Sequence, residues 1–516
     1  MATVRVSFVW LNHDTPVGFS HGLAALSAEL KDAGHRVGLV HVNERLGLPF
    51  DLGRIGRRLQ RQQPDVVGIS FGSNHAASAG ALARQVRKVL PGVWIVAGGV
   101  HTTLYPEQVM SWPEVDIAAL GEADDYRLAE VLDDLERGRA PRQRAGFWYR
   151  RRAVIRNPMA PPVDLSRSRA ADWGLFDHRR ILQLKRGWAD VHGGRGCPGR
   201  CTYCFNQPMR RRYLDVLGGH AGRELPYVRK RPLDIVLEEL RQCQIRYGEH
   251  IRVFSFTDDQ FIVGRRWLFE FLEAYAGTFR IPLVFLSSPG SIDREVAERC
   301  AAAGVYMVRL GIESGSARVR ERVLGRPIPS SAIRRAVSSL QSNGVNAFAF
   351  QMLGIPGETM TEVWQTFRSA ARLHLDAVKF SLFWPYPGTQ LYELCQRKHL
   401  IRSGFEFVGN NIQDTPLRWP AERQRFLRRV AGFTDLAMNR FLDLPRTDHY
   451  AALLGRLRSM SDVEWEQGGA WALRHEADQL NRTLLQAGQS LYTAPFDDRP
   501  DILLLQGRTR LRALFV

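Results

Sequence analysis

The 516-residue sequence predicts an α/β protein in three parts: an N-terminal doubly wound (Rossmann-like) parallel sheet, a (βα) partial TIM barrel, and a mainly helical C-terminal region. Three observations carry this. Short β-branched runs alternate with helical patterns over residues 1–140, the alternation resumes over 181–400, and after residue 400 the composition turns to amphipathic helical stretches. Strands and helices alternating at this spacing read as βαβ units building a parallel sheet.

In chain order, the first domain reads as strands at Val4–Trp10, Val37–Val42, Asp65–Ser70, Val93–Ala97 and Val115–Leu120, with helices at Leu23–Ala33, Ala77–Leu90 and Tyr126–Arg137. Ligands of doubly wound sheets sit beyond the carboxyl ends of the strands. There the sequence offers Asn12, His13 and Asp14; Phe71, Gly72, Ser73 and Asn74; Gly98, Gly99 and His101; and Gly121 with Glu122. Small residues at such ends admit a flat ligand close to the backbone, although glycine also simply ends strands. No G-x-G-x-x-G follows the first strand, which argues against NAD or FAD. Residues 141–180, with Pro141, Pro158, Pro161 and Pro162, read as a linker. Residues 181–400 read as the barrel, with strands at Ile181–Leu184, Val253–Thr257, Leu283–Ser287, Val305–Leu310, Ala347–Leu353 and Ala377–Phe383. Helices are expected at Leu233–Tyr247 and Arg265–Tyr275 between them, and at Ala421–Met438 and Val463–Leu485 in the region 401–516.

Composition narrows the function classes. No stretch reaches the roughly 18 uncharged apolar residues of a membrane span, and the start resembles no signal peptide. Six cysteines in 516 residues are no disulfide scaffold, which points to a reducing cytoplasm. The formal charge is +18, but only six of the 71 basic residues are lysine, a skew that fits GC-rich coding. Basic clusters such as Arg150–Arg152, Arg210–Arg212 and Arg229–Arg231 are short and lack interleaved aromatics, so a nucleic-acid partner is disfavoured against solvated faces.

The chemistry is carried by Gly193-Gly194-Arg195-Gly196-Cys197-Pro198-Gly199-Arg200-Cys201-Thr202-Tyr203-Cys204-Phe205, a glycine-rich loop with thiols at Cys-x3-Cys-x2-Cys spacing. A cubane iron–sulfur cluster ordinarily takes four cysteines, so three leave one iron open to another ligand. Structural zinc is the competing reading and needs a fourth ligand, from His192, Cys243 or a more distant group. Cys243, Cys300 and Cys395 lie in apolar or helical surroundings and read as packing thiols.

This segment resembles the CxxxCxΦC signature of the radical S-adenosylmethionine (SAM) superfamily, with Tyr203 in the aromatic position. Phe256-Thr257-Asp258-Asp259-Gln260-Phe261, Gly311-Ile312-Glu313-Ser314-Gly315-Ser316 and Leu353-Gly354-Ile355-Pro356-Gly357-Glu358-Thr359 fit the same family in order. The doubly wound domain ahead of the barrel, with Gly98-Gly99-Val100-His101 and Gly121-Glu122-Ala123, resembles the cobalamin-binding members of that superfamily. The resemblance covers residues 1 to about 400. It implies a 4Fe-4S cluster on Cys197, Cys201 and Cys204, and SAM contacts at Tyr203, Asp258, Asp259, Ser287 and Glu313. Asp258 or Asp259 takes the place of the family's GGE-like amino contact, from which this sequence departs. The resemblance further implies cobalamin contacts at Asn12, Ser70, Gly72, Ser73, Gly98, Gly99, His101, Gly121 and Glu122. The DxHxxG signature that supplies a histidine beneath cobalt is absent, and His13 and His101 read as buried, satisfied side chains. No catalytic residue is assigned.

The function implied is reductive cleavage of SAM to a 5′-deoxyadenosyl radical, with C-methylation of an unactivated carbon in a small-molecule intermediate as the leading reaction. A radical oxidative cyclase is the alternative. A methylthiotransferase on transfer RNA is disfavoured, because that family carries three further cysteines in its N-terminal domain and none precedes Cys197 here. A simple redox or metal-binding module leaves the barrel unexplained. The implied electron donor is an acidic flavodoxin or ferredoxin, for which the basic surface would be a docking face.

Overall fold

The computed structural model describes residues 3–138, 144–218, 227–403, 415–494 and 502–507. The first sheet contains β1 (Arg5–Leu11), β2 (Arg36–Val42), β3 (Val66–Ser70), β4 (Trp94–Gly98), β5 (Ile117–Ala119), β6 (Phe147–Arg150) and β7 (Val154–Arg156), in the order β2-β1-β3-β4-β5-β6-β7. The first five strands run parallel. The central strands β1, β3 and β4 are largely buried β-branched runs, as crossover helices on both faces require, while edge strand β2 is mostly only half-buried. The strand order reverses between β1 and β3, which places the ligand crevice at their carboxyl ends.

The stretch expected to be linker departs from that expectation in part. β6 and β7 form an antiparallel hairpin on the edge of β5. Asn157 holds it, donating to Phe147 O at 2.7 Å and accepting from Trp148 Nε1 through its carbonyl at 2.9 Å. The expected boundary at 140/141 lies outside the described residues.

The second sheet follows with β8 (Trp188–Val191); a small ribbon, β9 (Gly194–Arg195) against β10 (Arg229–Lys230); then β11 (Val253–Phe256), β12 (Leu283–Ser287), β13 (Val305–Glu313), β14 (Asn346–Leu353) and β15 (Ala377–Leu382). Its six long-range parallel strands lie in sequence order from β8 to β15. The C-terminal region is mainly helical, yet it returns two strands: β17 (Ile502–Gln506) pairs antiparallel with β15, and β16 (Leu491–Thr493) pairs antiparallel with β17 on the outer edge.

One expected strand is a helix. Ile181–Leu184 lies in helix His178–Leu184, whose N-terminus is capped by the Asp177 carboxylate accepting from Arg180 N. The first barrel strand comes four residues later, at Trp188, after Gly187 with φ +83°. Its acid, Asp190, is neutralised by the Lys185 ammonium.

Candidate active site

The cysteine loop leaves the carboxyl end of β8 and is fixed on several sides. β9 and β10 pair across it, and Gly196, at φ +83°, passes so near Tyr227 that a Cβ there would lie 2.1 Å from the Tyr227 carbonyl oxygen. Thr202 donates from its backbone N–H to Leu324 O at 3.1 Å and from its hydroxyl to Val323 O at 2.7 Å, while its own carbonyl accepts from Leu391 N at 3.0 Å. The three thiols are therefore presented by backbone held in place before any metal arrives.

Each sulfur faces one N–H donor. Gly199 N points at Cys197 Sγ (3.3 Å), Arg326 Nη1 at Cys201 Sγ (3.2 Å) and Asn206 Nδ2 at Cys204 Sγ (3.8 Å). A Cβ on Gly199 would sit 3.2 Å from Cys197 Sγ and 3.6 Å from Cys201 Sγ, so that glycine leaves both sulfurs uncovered on one side of the loop. Burial pushes the Cys204 thiol up to about 12 and raises Cys197 as well, so these protons leave when a metal replaces them. Neither zinc candidate supplies a fourth ligand: His192 stacks on His21 at 5.1 Å, and Cys243 packs in the core on helix Leu233–Tyr247. Three thiolates with donors to their sulfurs fit a cluster that keeps one iron open.

The expected SAM residues divide. Asp258 is buried and committed, its carboxylate accepting from Gly193 N (2.9 Å) and from Lys230 Nζ (3.0 Å). Asp259 stands beside the cysteine loop, where burial raises its carboxyl against the Asn206 side chain and Gly196 N–H, which lower it. The Ser287 hydroxyl, at the end of β12, accepts from Gln260 Nε2 at 3.2 Å. Glu313 ends β13 at φ +70°, just past an irregularity in its register with β14, a strained backbone that re-aims the side chain. Burial raises its carboxyl, opposed by Arg326 and by the Tyr203 hydroxyl. Tyr203, Glu313, Arg326 and Cys201 thus form one cluster. Arg326 escapes sequence reasoning because it comes from the crossover after β13, and only the fold brings it to the loop.

At the edge of the first sheet, Gly72, Ser73, Gly98 and Gly99 form an accessible shelf of small residues beyond β3 and β4. Gly99 has φ +102° and approaches the next strand end so closely that a Cβ would lie 2.5 Å from Phe71 O. Ser70 ends β3, while Asn12 and His101 lie buried below the shelf. Asn12 accepts from the Thr15 hydroxyl at 2.7 Å; His101, its imidazole pushed down to about 4 by burial, has Nδ1 3.0 Å from Ser73 Oγ but Nε2 buried without a partner, so it is not the fully satisfied side chain expected. His13 is fully engaged, Nδ1 on Asp14 (2.8 Å) and Nε2 on Ser78 (3.1 Å), with its ring against Phe50 and His75. The shelf suits a flat macrocycle and provides no histidine from His13 beneath it.

Gly121 and Glu122 join the two halves of the site. The Glu122 carboxylate accepts from Arg229 at 2.6 and 2.9 Å and from Val163 N at 3.0 Å, and lies 3.4 Å from Arg195, which also pairs with Asp124. Burial alone would raise this carboxyl; the two guanidiniums outweigh it and hold it below its usual range. Gly121 N donates to Thr103 Oγ1 at 2.8 Å, and Glu122 N to Tyr213 Oη at 2.9 Å. Because Arg195 lies in β9 and Arg229 in β10, this ion-pair network ties the first sheet to the base of the cysteine loop.

A cavity of about 360 Å³ opens between the loop after β1, represented by Pro16 and Val17, and the inner face of the barrel. Part of its wall is apolar, from Trp188, Met307, Phe348, Phe350 and Ile502, and the rest is charged, with Arg45, Lys185, Arg186, Arg309 and Lys379 beside the single acid Asp190. No helix among the described residues is long and apolar enough to cross a membrane.

Residues 15–129 match the B12 binding domain and residues 191–370 the radical SAM superfamily. The chain is 27% identical to an uncharacterized methyltransferase of Pyrococcus horikoshii over 391 residues, covering 74% of this chain and 79% of that protein. It is 23% identical to an anaerobic magnesium-protoporphyrin IX monomethyl ester cyclase of Rubrivivax gelatinosus, covering 76% and 70%. Its fold resembles the radical S-adenosylmethionine methyltransferase TsrM of Kitasatospora setae, solved with cobalamin and a [4Fe-4S] cluster, at TM-score 0.64, 17% identity and coverage of 93% and 100%.

Proposed function

The chain belongs to the radical SAM enzymes that carry a cobalamin-binding domain, and from that premise we propose that it methylates an unactivated carbon of a small-molecule biosynthetic intermediate. The observation that carries this is the placement of the three-thiol loop and the small-residue shelf on the two domains that the Glu122–Arg229 and Asp124–Arg195 pairs lock together. When bound, the cluster supplies the electron that cleaves SAM to methionine and a 5′-deoxyadenosyl radical, and the corrinoid supplies a transferable methyl group.

Cys197, Cys201 and Cys204 would hold three of the four irons of the cluster. Asp259, beside Asn206 and Gly196, and Glu313, beside Tyr203 and Arg326, would take the amino and hydroxyl groups of SAM, whereas Asp258 braces the Gly193 backbone. The corrin would lie on Gly72, Ser73, Gly98 and Gly99. The electron comes from an acidic flavodoxin or ferredoxin, attracted by the net positive charge.

The test is anaerobic reconstitution, then turnover with deuterated-methyl SAM and a cell extract. The expected result is about four irons per chain, 5′-deoxyadenosine formation that Cys201→Ala abolishes, and label in a small molecule. One zinc without sulfide would overturn the reading. Radical cyclisation is the second reading, favoured by the likeness to the cyclase of Rubrivivax gelatinosus; 5′-deoxyadenosine and a ring-closed product without methyl label would select it.

A further inference from the structure

The barrel chamber carries five cations, Arg45, Lys185, Arg186, Arg309 and Lys379, against one acid, Asp190, and Arg309 is the one on the inner face of β13. Arg309, on β13, directs its guanidinium inward, where Nη2 donates to Ser255 Oγ at 3.1 Å and to Phe256 O at 3.2 Å. Its Nε is buried without a partner, and among the described residues it forms no ion pair. The acid that shares the cavity wall, Asp190, is held by Lys185. A guanidinium withdrawn from water costs several kcal/mol unless an anion compensates it, and neutral hydroxyl and carbonyl acceptors do so only in part.

Position gives this residue a role distinct from cofactor binding. Side chains alternate along a strand, so Arg309, Gly311 and Glu313 share the inner face of β13. Four residues at about 3.3 Å each put Arg309 roughly 13 Å below Glu313. Phe348 stands opposite Arg309 and Phe350 opposite Gly311, so two aromatic residues follow β14 from Arg309 toward Glu313, while Met307 and Trp188 lie on the other side of Arg309. An elongated ligand with a charged foot and an apolar body would fill this space with its far end at the strand termini, where the thiol loop lies.

We propose that Arg309 anchors the substrate through an oxyanion, a carboxylate or a phosphate, so that the substrate is an anionic small molecule with an apolar body. This rests on the reading of the chamber as the reaction site of a radical enzyme. Burial lowers the guanidinium below its ordinary range even with Asp190 pulling the other way, and a bound oxyanion would restore it.

The test is calorimetric titration of the full-length, iron-reconstituted chain with inorganic phosphate and, separately, with benzoate at constant ionic strength. The wild type is expected to bind one equivalent of at least one probe; phosphate alone points to a phosphorylated substrate and benzoate alone to a carboxylic acid. Arg309→Gln should weaken that binding at least ten-fold, and Arg309→Lys several-fold, with iron content and uncoupled 5′-deoxyadenosine formation unchanged. Absence of binding to the wild type, or equal binding by wild type and variants, overturns the anchor. If Arg309→Gln fails to take up iron, Arg309→Lys decides by the same comparison. Loss of iron and of SAM cleavage in the wild type would instead sink the enzymatic reading, a distinct outcome.

Discussion

Arg326 Nη1 donates to Cys201 Sγ at 3.2 Å, and of the three N–H···S contacts in the cysteine loop this one carries a full positive charge. The guanidinium is held there by a second bond, Nη2 to Gly311 O at 2.6 Å. Hydrogen bonds and positive charge at cluster sulfurs favour the reduced state. Arg326→Gln should therefore move the midpoint potential of the reconstituted cluster to more negative values, with Arg326→Lys lying between. A redox titration followed by electron paramagnetic resonance measures this. An unchanged potential at full iron content would show that the contact has no electronic effect.

Arg195 pairs with both Glu122 and Asp124 across the junction of the two sheets. Arg195→Ala leaves the buried Asp124 carboxylate without its guanidinium while Glu122 keeps Arg229, and removing one partner of a buried pair costs about 3 kcal/mol. A lower thermal midpoint is expected, together with reduced iron uptake, since Arg195 lies two residues before Cys197. A midpoint equal to that of the wild type would remove the clamp from the account.

Glu358 gives a pH dependence of definite sign. Burial pushes its carboxyl up to about 8, only partly countered by the N–H groups of Gly354 and Ile355 and by Arg423. The unfolded chain releases this proton near 4.5 and the native chain near 8, so the native state binds more protons in between. Its contribution to stability is complete below about pH 4.5 and is lost as pH rises toward 8. Glu358→Gln should flatten that part of the profile, and melting curves at pH 6 and 8.5 should show the variant gaining on the wild type at the higher pH. Parallel profiles would refute it.

Gly99→Ala places a Cβ 2.5 Å from Phe71 O at a φ of +102°. Strain of this kind costs on the order of 1–3 kcal/mol and displaces the shelf of the first sheet. Protein incubated with hydroxocobalamin and then desalted should keep less corrinoid colour than the wild type. Equal retention would place the corrinoid elsewhere.

The alternation of elements was legible because parallel strands buried on both faces must be continuous apolar runs, and the strands from Val253 to Leu382 lie within a few residues of expectation. The four residues Ile181–Leu184 misled because an apolar run that short suits helix and strand alike, and the deciding cap, Asp177, precedes it. The real first strand, Trp188–Val191, carries Asp190, whose charge masks it until Lys185 is seen beside it. At the site, spacing alone marked the three cysteines as ligands. It did not separate Asp258 from Asp259, because that distinction depends on Lys230 and Gly193, brought in by other elements. Arg195, Arg229 and Arg326 were indistinguishable from the remaining arginines for the same reason.

The antiparallel return of β17 to the edge of β15 has a consequence for biosynthesis. Ile502 forms part of the chamber wall, while the thiol loop ends at Cys204, roughly 300 residues earlier in the chain. At about 5–20 residues per second, a ribosome needs about 15–60 s to make that stretch. During this interval the thiols are already synthesised while the chamber still lacks part of its wall, so iron can be delivered to a nascent chain before the barrel edge is complete.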